Sequence, residues 1–164
     1  MRCVFVFAPH TSNWDFYYGV MCMISWGIPI KVAIKNDWMK FPFGWFIKSF
    51  GGVGIDRSKK LNKTEQIENL AEVFNQYEDI AFIITPEGSR SLREAWKLGF
   101  YYIAKEAKVP IVTLSGSYKT QTIEFGPILD ASEPLEVVMK KMMNFYKAGE
   151  AKFPENFSID KRFV

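Results

Sequence analysis

The chain has 164 residues and a formal net charge of +3, with 48% hydrophobic, 16% aromatic and 24% charged residues. That length suits one self-supporting domain, and the balance of apolar and charged residues excludes a disordered chain. So small a net charge gives no ground for a nucleic-acid partner, and two cysteines, Cys3 and Cys22, supply neither a disulfide framework nor metal-ligand spacing, so a reduced, cytosolic setting is the expectation.

Cys3 to Ala8 is a continuous apolar run suited to a strand buried on both faces. Met1-Arg2 leads straight into it with no cleavage site, so no signal peptide is expected. His10, the only histidine, follows in Ala8-Pro9-His10-Thr11-Ser12-Asn13-Trp14-Asp15. A helix is predicted from about Trp14 to Trp26, capped by Asn13 or Ser12, with Asp15 near its positive end. A carboxylate in that first turn can fold back onto one imidazole nitrogen and leave the other free, the geometry of an oriented general base. A surface histidine or a helix-end hydrogen bond explains the same pair more simply. Phe16 to Ile30 carries no charge but is shorter than the ~20 residues of a spanning helix. Gly19, Gly27 and Pro29 also interrupt it.

Pro29 to Ile34 reads as the second strand. Trp38 to Phe50 packs Trp38, Phe41, Phe43, Trp45, Phe46 and Phe50 around only Lys40 and Lys48, which suits the wall of an apolar cavity or a membrane interface as well as an ordinary core helix. Gly51 to Ile55 is a Gly-rich strand ending at Asp56-Arg57. Asn62 opens a helix to about Tyr77, with Glu65 in capping-box register. Ile80 to Thr85 is another buried strand, followed by the loop Pro86-Glu87-Gly88-Ser89-Arg90-Ser91. A helix over about Ala95 to Ala107, a strand Pro110 to Ser115, a more exposed strand Thr120 to Phe125 and a last helix over about Glu133 to Lys147, capped by Ser132, complete the series. The polar end is expected to be loose.

Alternating strands and helices predict an α/β fold with a mixed, largely parallel central sheet flanked by helices. His10, Arg57 and Glu87 each follow a strand, and the carboxyl ends of strands are where such sheets bind ligands. Glu87 and Arg90 can bind a polyol hydroxyl and a phosphate side by side, with Arg57 as a second fork, although a Glu–Arg pair closing a turn accounts for the loop equally well. Two basic clusters, Arg57-Ser58-Lys59-Lys60 and Arg90, Arg93 and Lys97, read alternatively as solvated patches.

In order along the chain stand His10-x-x-x-x-Asp15, Gly51-Gly52-Val53-Gly54-Ile55-Asp56-Arg57, Pro86-Glu87-Gly88-Ser89-Arg90-Ser91 and Val109-Pro110-Ile111-Val112. This set resembles the four motifs of the glycerolipid acyltransferases typified by bacterial 1-acylglycerol-3-phosphate acyltransferase. Lys35 after the second strand, Pro42-Phe43-Gly44-Trp45 and Lys97-x-Gly99 agree with it, and the likeness runs from about Cys3 to Gly126. It implies one acyltransferase domain over residues 1–164, in which His10 removes the proton of an acceptor hydroxyl that attacks the thioester of acyl-CoA or acyl carrier protein. Asp15 would orient His10. Arg57, Glu87 and Arg90 would hold the acceptor's glycerol phosphate, with Gly88, Ser89, Lys35 and Lys97 beside them. Neither a metal, a cofactor nor a covalent enzyme intermediate is implied.

The expected acceptor is a lysophospholipid, lysophosphatidate by default, in phospholipid biosynthesis at the inner face of the cytoplasmic membrane, where the protein would be peripheral. A catalytically inactive lipid-binding protein of the same fold and a thioester hydrolase are the alternatives. Pro9 stands where the family usually has Asn, Thr85 and Ser89 where Phe and Thr are common, and Thr113 where the fourth motif has its second proline. Family members also carry an N-terminal membrane helix region and a strand before the catalytic motif. Here the motif comes almost at once, so membrane contact is expected through Trp38 to Phe50 or through weak peripheral binding.

Overall fold

The computed structural model describes residues 1–28, 30–35, 52–55, 62–147 and 150–164, with 30–35 and 52–55 described by their backbone. In chain order the elements are β1 (Arg2–Ala8), α1 (Asn13–Ser25), β2 (Ile30–Lys35), β3 (Gly52–Ile55), α2 (Lys63–Val73), β4 (Ile80–Ile84), α3 (Gly99–Ala107), β5 (Ile111–Ser117), β6 (Thr122–Leu129) and α4 (Leu135–Met143). The Trp38 to Phe50 segment, Arg57 and the Lys59-Lys60 cluster lie outside the described residues.

The strands form one sheet in the order β3-β2-β4-β1-β5-β6. All neighbours run parallel except β6, which is antiparallel to β5. This is the mixed, largely parallel α/β sheet expected from the alternation of elements. Central β1 is buried on both sides because side chains alternate across a strand. Val4, Val6 and Ala8 join Phe82, Phe100, Ile103 and Met139 on one face. On the other, Cys3, Phe5 and Phe7 meet Val20 and Met23 of α1. Each such large side chain removed from water contributes about 1.5–3 kcal/mol.

The loop after β1 leads through α1 toward β2, whereas the loop after β4 leads through α3 toward β5 on the opposite side of the sheet. The carboxyl ends of β1 and β4 are therefore a topological switch point, where α/β sheets open a crevice.

Local chemistry explains where elements depart from expectation. Asn62 and Glu65 form the expected capping box of α2. By contrast α3 begins at Gly99, not Ala95: the Trp96 carbonyl, which a helix from Ala95 would offer to the Phe100 amide, accepts instead from Arg162 at 3.0 Å, and the Trp96 and Lys97 amides donate to Asp160 and to the Pro86 carbonyl. Backbone groups committed elsewhere cannot join a helical ladder. Pro134 sets the start of α4, and Ser132 does not cap it: its amide donates instead to the Asp130 carboxylate. β6 runs on to Leu129 through a bulge opposite Thr113, whose hydroxyl donates to the Pro127 carbonyl at 2.9 Å. Pro127 sits on an edge strand, where its missing N–H costs no ladder bond.

The carboxyl-terminal segment is packed rather than loose. Phe157 joins the core and Asp160 is fully buried, accepting from the Trp96 amide at 2.9 Å and pairing with Arg162 at 2.6 Å. A buried apolar anchor and a paired buried carboxylate override the polar composition of this stretch.

Candidate active site

Ser12 caps α1, and Asp15, at the third helical position, returns its carboxylate to the Ser12 backbone in a capping box. The same carboxylate oxygen, Oδ2, accepts from the amides of Thr11 at 2.6 Å and Ser12 at 2.7 Å. It also faces His10 Nδ1 at 3.4 Å. That separation is an ion-pair contact just beyond hydrogen-bond range, and catalytic pairs commonly tighten only when substrate is bound. Asp15 Oδ1 accepts from the Tyr118 hydroxyl at 2.7 Å. Burial alone would push the Asp15 carboxyl up, but the facing His10 imidazole and the hydrogen bonds from Tyr118, Ser12 and Thr11 outweigh it and hold it below the usual carboxylate range.

Asp15 is 3% exposed, whereas the His10 side chain is 18% exposed, so only the imidazole can be touched from outside. His10 follows the cis Ala8–Pro9 peptide. Its amide donates to Glu87 Oε1 at 2.8 Å, which ties the first motif to the third across the β1–β4 crevice. Glu87 is buried, and its other oxygen, Oε2, has no hydrogen-bond partner among the described residues. Burial pushes its carboxyl up to about 7.

The rest of the third motif stays close. Gly88 adopts φ +61°, a left-handed conformation that favours glycine, and an added Cβ would strike the Lys97 side chain at 2.6 Å. Lys97 is thereby placed against the Glu87 loop, and its amide donates to Pro86 at 2.8 Å. Arg90 is exposed and donates to the Asn13 side chain at the start of α1. The Ser89 hydroxyl accepts from the Ser91 amide at 3.1 Å, a turn contact. The structure thus brings His10, Asp15, Glu87, Gly88, Ser89, Arg90 and Lys97 to neighbouring strand ends. Lys35 closes β2, next to β4 on the same edge of the sheet, but its side chain lies outside the described residues, as does Arg57.

Tyr118 is the residue that sequence reasoning missed. It lies beyond the expected strand Pro110 to Ser115. With β5 running to Ser117, it stands at a strand end, as His10 does. Beside it opens a cavity of about 360 Å³ lined by Phe7, Pro9, Asp15, Tyr18, Cys22 and Ile123, among others, a largely apolar wall that reaches the buried carboxylate.

Neither a curated protein nor a solved structure matches this chain. A family model described as Acyltransferase matches residues 2–117, which include both strand ends of the crevice and the His10–Asp15 and Glu87–Arg90 loops. The match covers well over half of the sequence and coincides with the motifs, so the chain belongs to the glycerolipid acyltransferase family and is an acyltransferase.

Proposed function

We propose that this acyltransferase moves a fatty acyl group from an acyl-CoA or acyl carrier protein thioester to the hydroxyl of a lysophospholipid-like acceptor, with His10 as general base. The observation that carries the reading is the imidazole itself, accessible at one edge and faced at Nδ1 by a buried carboxylate. An ionised Asp15 favours the tautomer with hydrogen on Nδ1, leaving the Nε2 lone pair for the acceptor hydroxyl. As His10 takes that proton, the acceptor oxygen bonds to the thioester carbonyl carbon. Collapse of the tetrahedral intermediate breaks the carbon–sulfur bond, and the departing thiolate recovers the proton from the imidazolium. Asp15 stabilises the imidazolium between the two steps.

Glu87, Arg90 and Lys97 offer the acceptor a carboxyl and two cations beside the base, with Gly88 and Ser89 shaping the loop. Arg57 and Lys35 enter this set through the family resemblance. Lysophosphatidate is the default acceptor and phospholipid biosynthesis the context. The largely apolar cavity beside Asp15 suits the acyl chain.

Work at a membrane surface is supported by α1. Its outward residues Trp14, Phe16, Tyr17, Tyr18, Met21 and Ile24 are all exposed, and none is charged. Exposed aromatics of this kind favour the headgroup region of a bilayer. No helix among the described residues is long and apolar enough to cross a membrane. The proposed position is peripheral, at the inner face of the cytoplasmic membrane, and the exposed aromatic face of α1 is what supports membrane contact.

The test incubates the protein with mixed lysolipids and both donor types and identifies products by mass spectrometry. Acylated lysolipid is expected from the wild type, with rates that fall on acidification, and none from His10→Ala. A His10→Ala protein that transfers acyl groups at the wild-type rate would end the proposal.

A further inference from the structure

Tyr118 lies just beyond the family-matched residues, and its hydroxyl holds the oxygen of Asp15 that His10 does not face. The phenol is fixed from several sides. Its amide donates to the Glu150 carbonyl at 2.8 Å, its ring meets Tyr18 edge-on at 6.3 Å, and the Lys152 ammonium stands 5.9 Å above the ring. Lys152 also lies 5.7 Å over Trp14, and the Phe153 amide donates to Thr11 Oγ1 at 3.3 Å. The carboxyl-terminal segment therefore clasps both Tyr118 and the His10 loop.

We propose that Tyr118 is a positioning residue that acts through Asp15 to set the basicity of His10. This rests on the reading of His10 as general base. The two amides of Thr11 and Ser12 fix Oδ2 in place whether or not the phenol is present, so the contribution of Tyr118 is chiefly to the carboxylate's charge. A hydroxyl donating to Oδ1 draws negative charge away from the oxygen facing the imidazole. Its removal leaves a more strongly charged carboxylate beside His10 and stabilises the imidazolium. Among the described residues the charged and titratable groups around the pair are Asp15, Tyr18 and Cys22 from α1, Glu87 and Lys97 from the segment after β4 and Lys152 from the carboxyl-terminal segment. Tyr118→Phe changes none of them.

Because His10 is the only histidine, its ring signals in proton NMR need no assignment. In Tyr118→Phe the pH midpoint of those signals is expected to move upward by about half a unit, a fraction of the roughly one to two units that a hydrogen bond to a charged group is worth, because the effect reaches the imidazole only through the carboxylate. The acid limb of kcat/KM for acyl transfer is expected to move with it, while KM for donor and acceptor stays within about twofold. Tyr77→Phe, just before β4 at the other end of the sheet, is the control and is expected to move neither. A folded Tyr118→Phe protein whose His10 midpoint stays put or falls overturns the proposal. A midpoint that rises while the acid limb stays fixed supports the coupling and removes His10 from its role as base, so the two readings fail separately.

Discussion

Replacing Asp15 separates what the carboxylate does for folding from what it does for chemistry. Asp15→Ala strips the acceptor from three donors in a site only 3% exposed: the Thr11 and Ser12 amides and the Tyr118 hydroxyl. At about 1 kcal/mol for each buried donor left unpaired, and about 0.5 kcal/mol for losing a negative charge at a helix amino terminus, the cost is near 3–4 kcal/mol. That is survivable for a domain of ordinary stability, about 5–15 kcal/mol. Asp15→Asn keeps a carbonyl oxygen for the two amides and offers Tyr118 an N–H in exchange, so about 1 kcal/mol is expected. Activity should not follow that order. Both variants lose the charge facing His10, and both are expected to lose about 10²–10⁴ in kcat, equivalent to ~3–5 kcal/mol at the transition state. Urea unfolding and initial rates on the same preparations make the comparison. An Asn variant within threefold of wild-type activity would refute the assigned role of the charge. Equal destabilisation by Asn and Ala would refute the accounting of the donors.

Glu87 gives a stability profile of defined sign. Its carboxyl is raised from 4.5 to about 7, so the folded protein holds a proton that the unfolded chain releases, and this contribution is present below about pH 4.5 and is lost as pH rises through 7. Glu87→Gln, measured by urea unfolding at pH 5 and pH 8, should therefore gain on the wild type with rising pH, by on the order of 3 kcal/mol. A gap that does not change with pH contradicts it. Cys22 lines the cavity and is partly exposed, whereas Cys3 is buried. Cys22→Trp is expected to cut transfer of long acyl chains by about tenfold or more and spare acetyl and butyryl donors. Uniform loss across chain lengths would place the acyl chain elsewhere. Asp160→Ala leaves the Trp96 amide without its buried acceptor, while the Arg162 guanidinium stays in reach of water and of the Trp96 carbonyl, and should cost about 1–3 kcal/mol in thermal or urea unfolding; an unchanged midpoint would show that the carboxyl-terminal latch contributes nothing.

Much of this architecture could be read directly because local and global signals agree. The Cys3 to Ala8 run is buried on both faces as its composition predicts, and Asn62 with Glu65 caps α2 as its spacing predicts. His10, Asp15 and Glu87 meet because parallel strands put their carboxyl ends on one edge, which periodicity alone can foresee. Tyr118 could not be placed the same way: its role depends on two further residues of β5 and on a partner more than a hundred positions away. The length of α3 and the packing of the tail were hidden for a related reason. Trp96 exchanges bonds with Asp160, Ser158 and Arg162, and no local pattern encodes such pairings.

The capping box of α1 uses the same carboxylate that faces His10. A descendant that gave up acyl transfer would still be selected to keep an acceptor side chain at position 15, Asp or Asn, since its helix would fray without one. His10 carries no comparable side-chain duty in the fold, because its tie to Glu87 runs through the main chain. Among chains of this kind an acceptor at position 15 therefore reports a folded α1, and the histidine together with the charge facing it reports turnover. The amides of Thr11 and Ser12 offer a matching physical readout. Their hydrogen exchange should quicken only when Asp15 takes up a proton, below the usual carboxylate range, so the helix amino terminus should loosen separately from the loss of activity that follows protonation of His10.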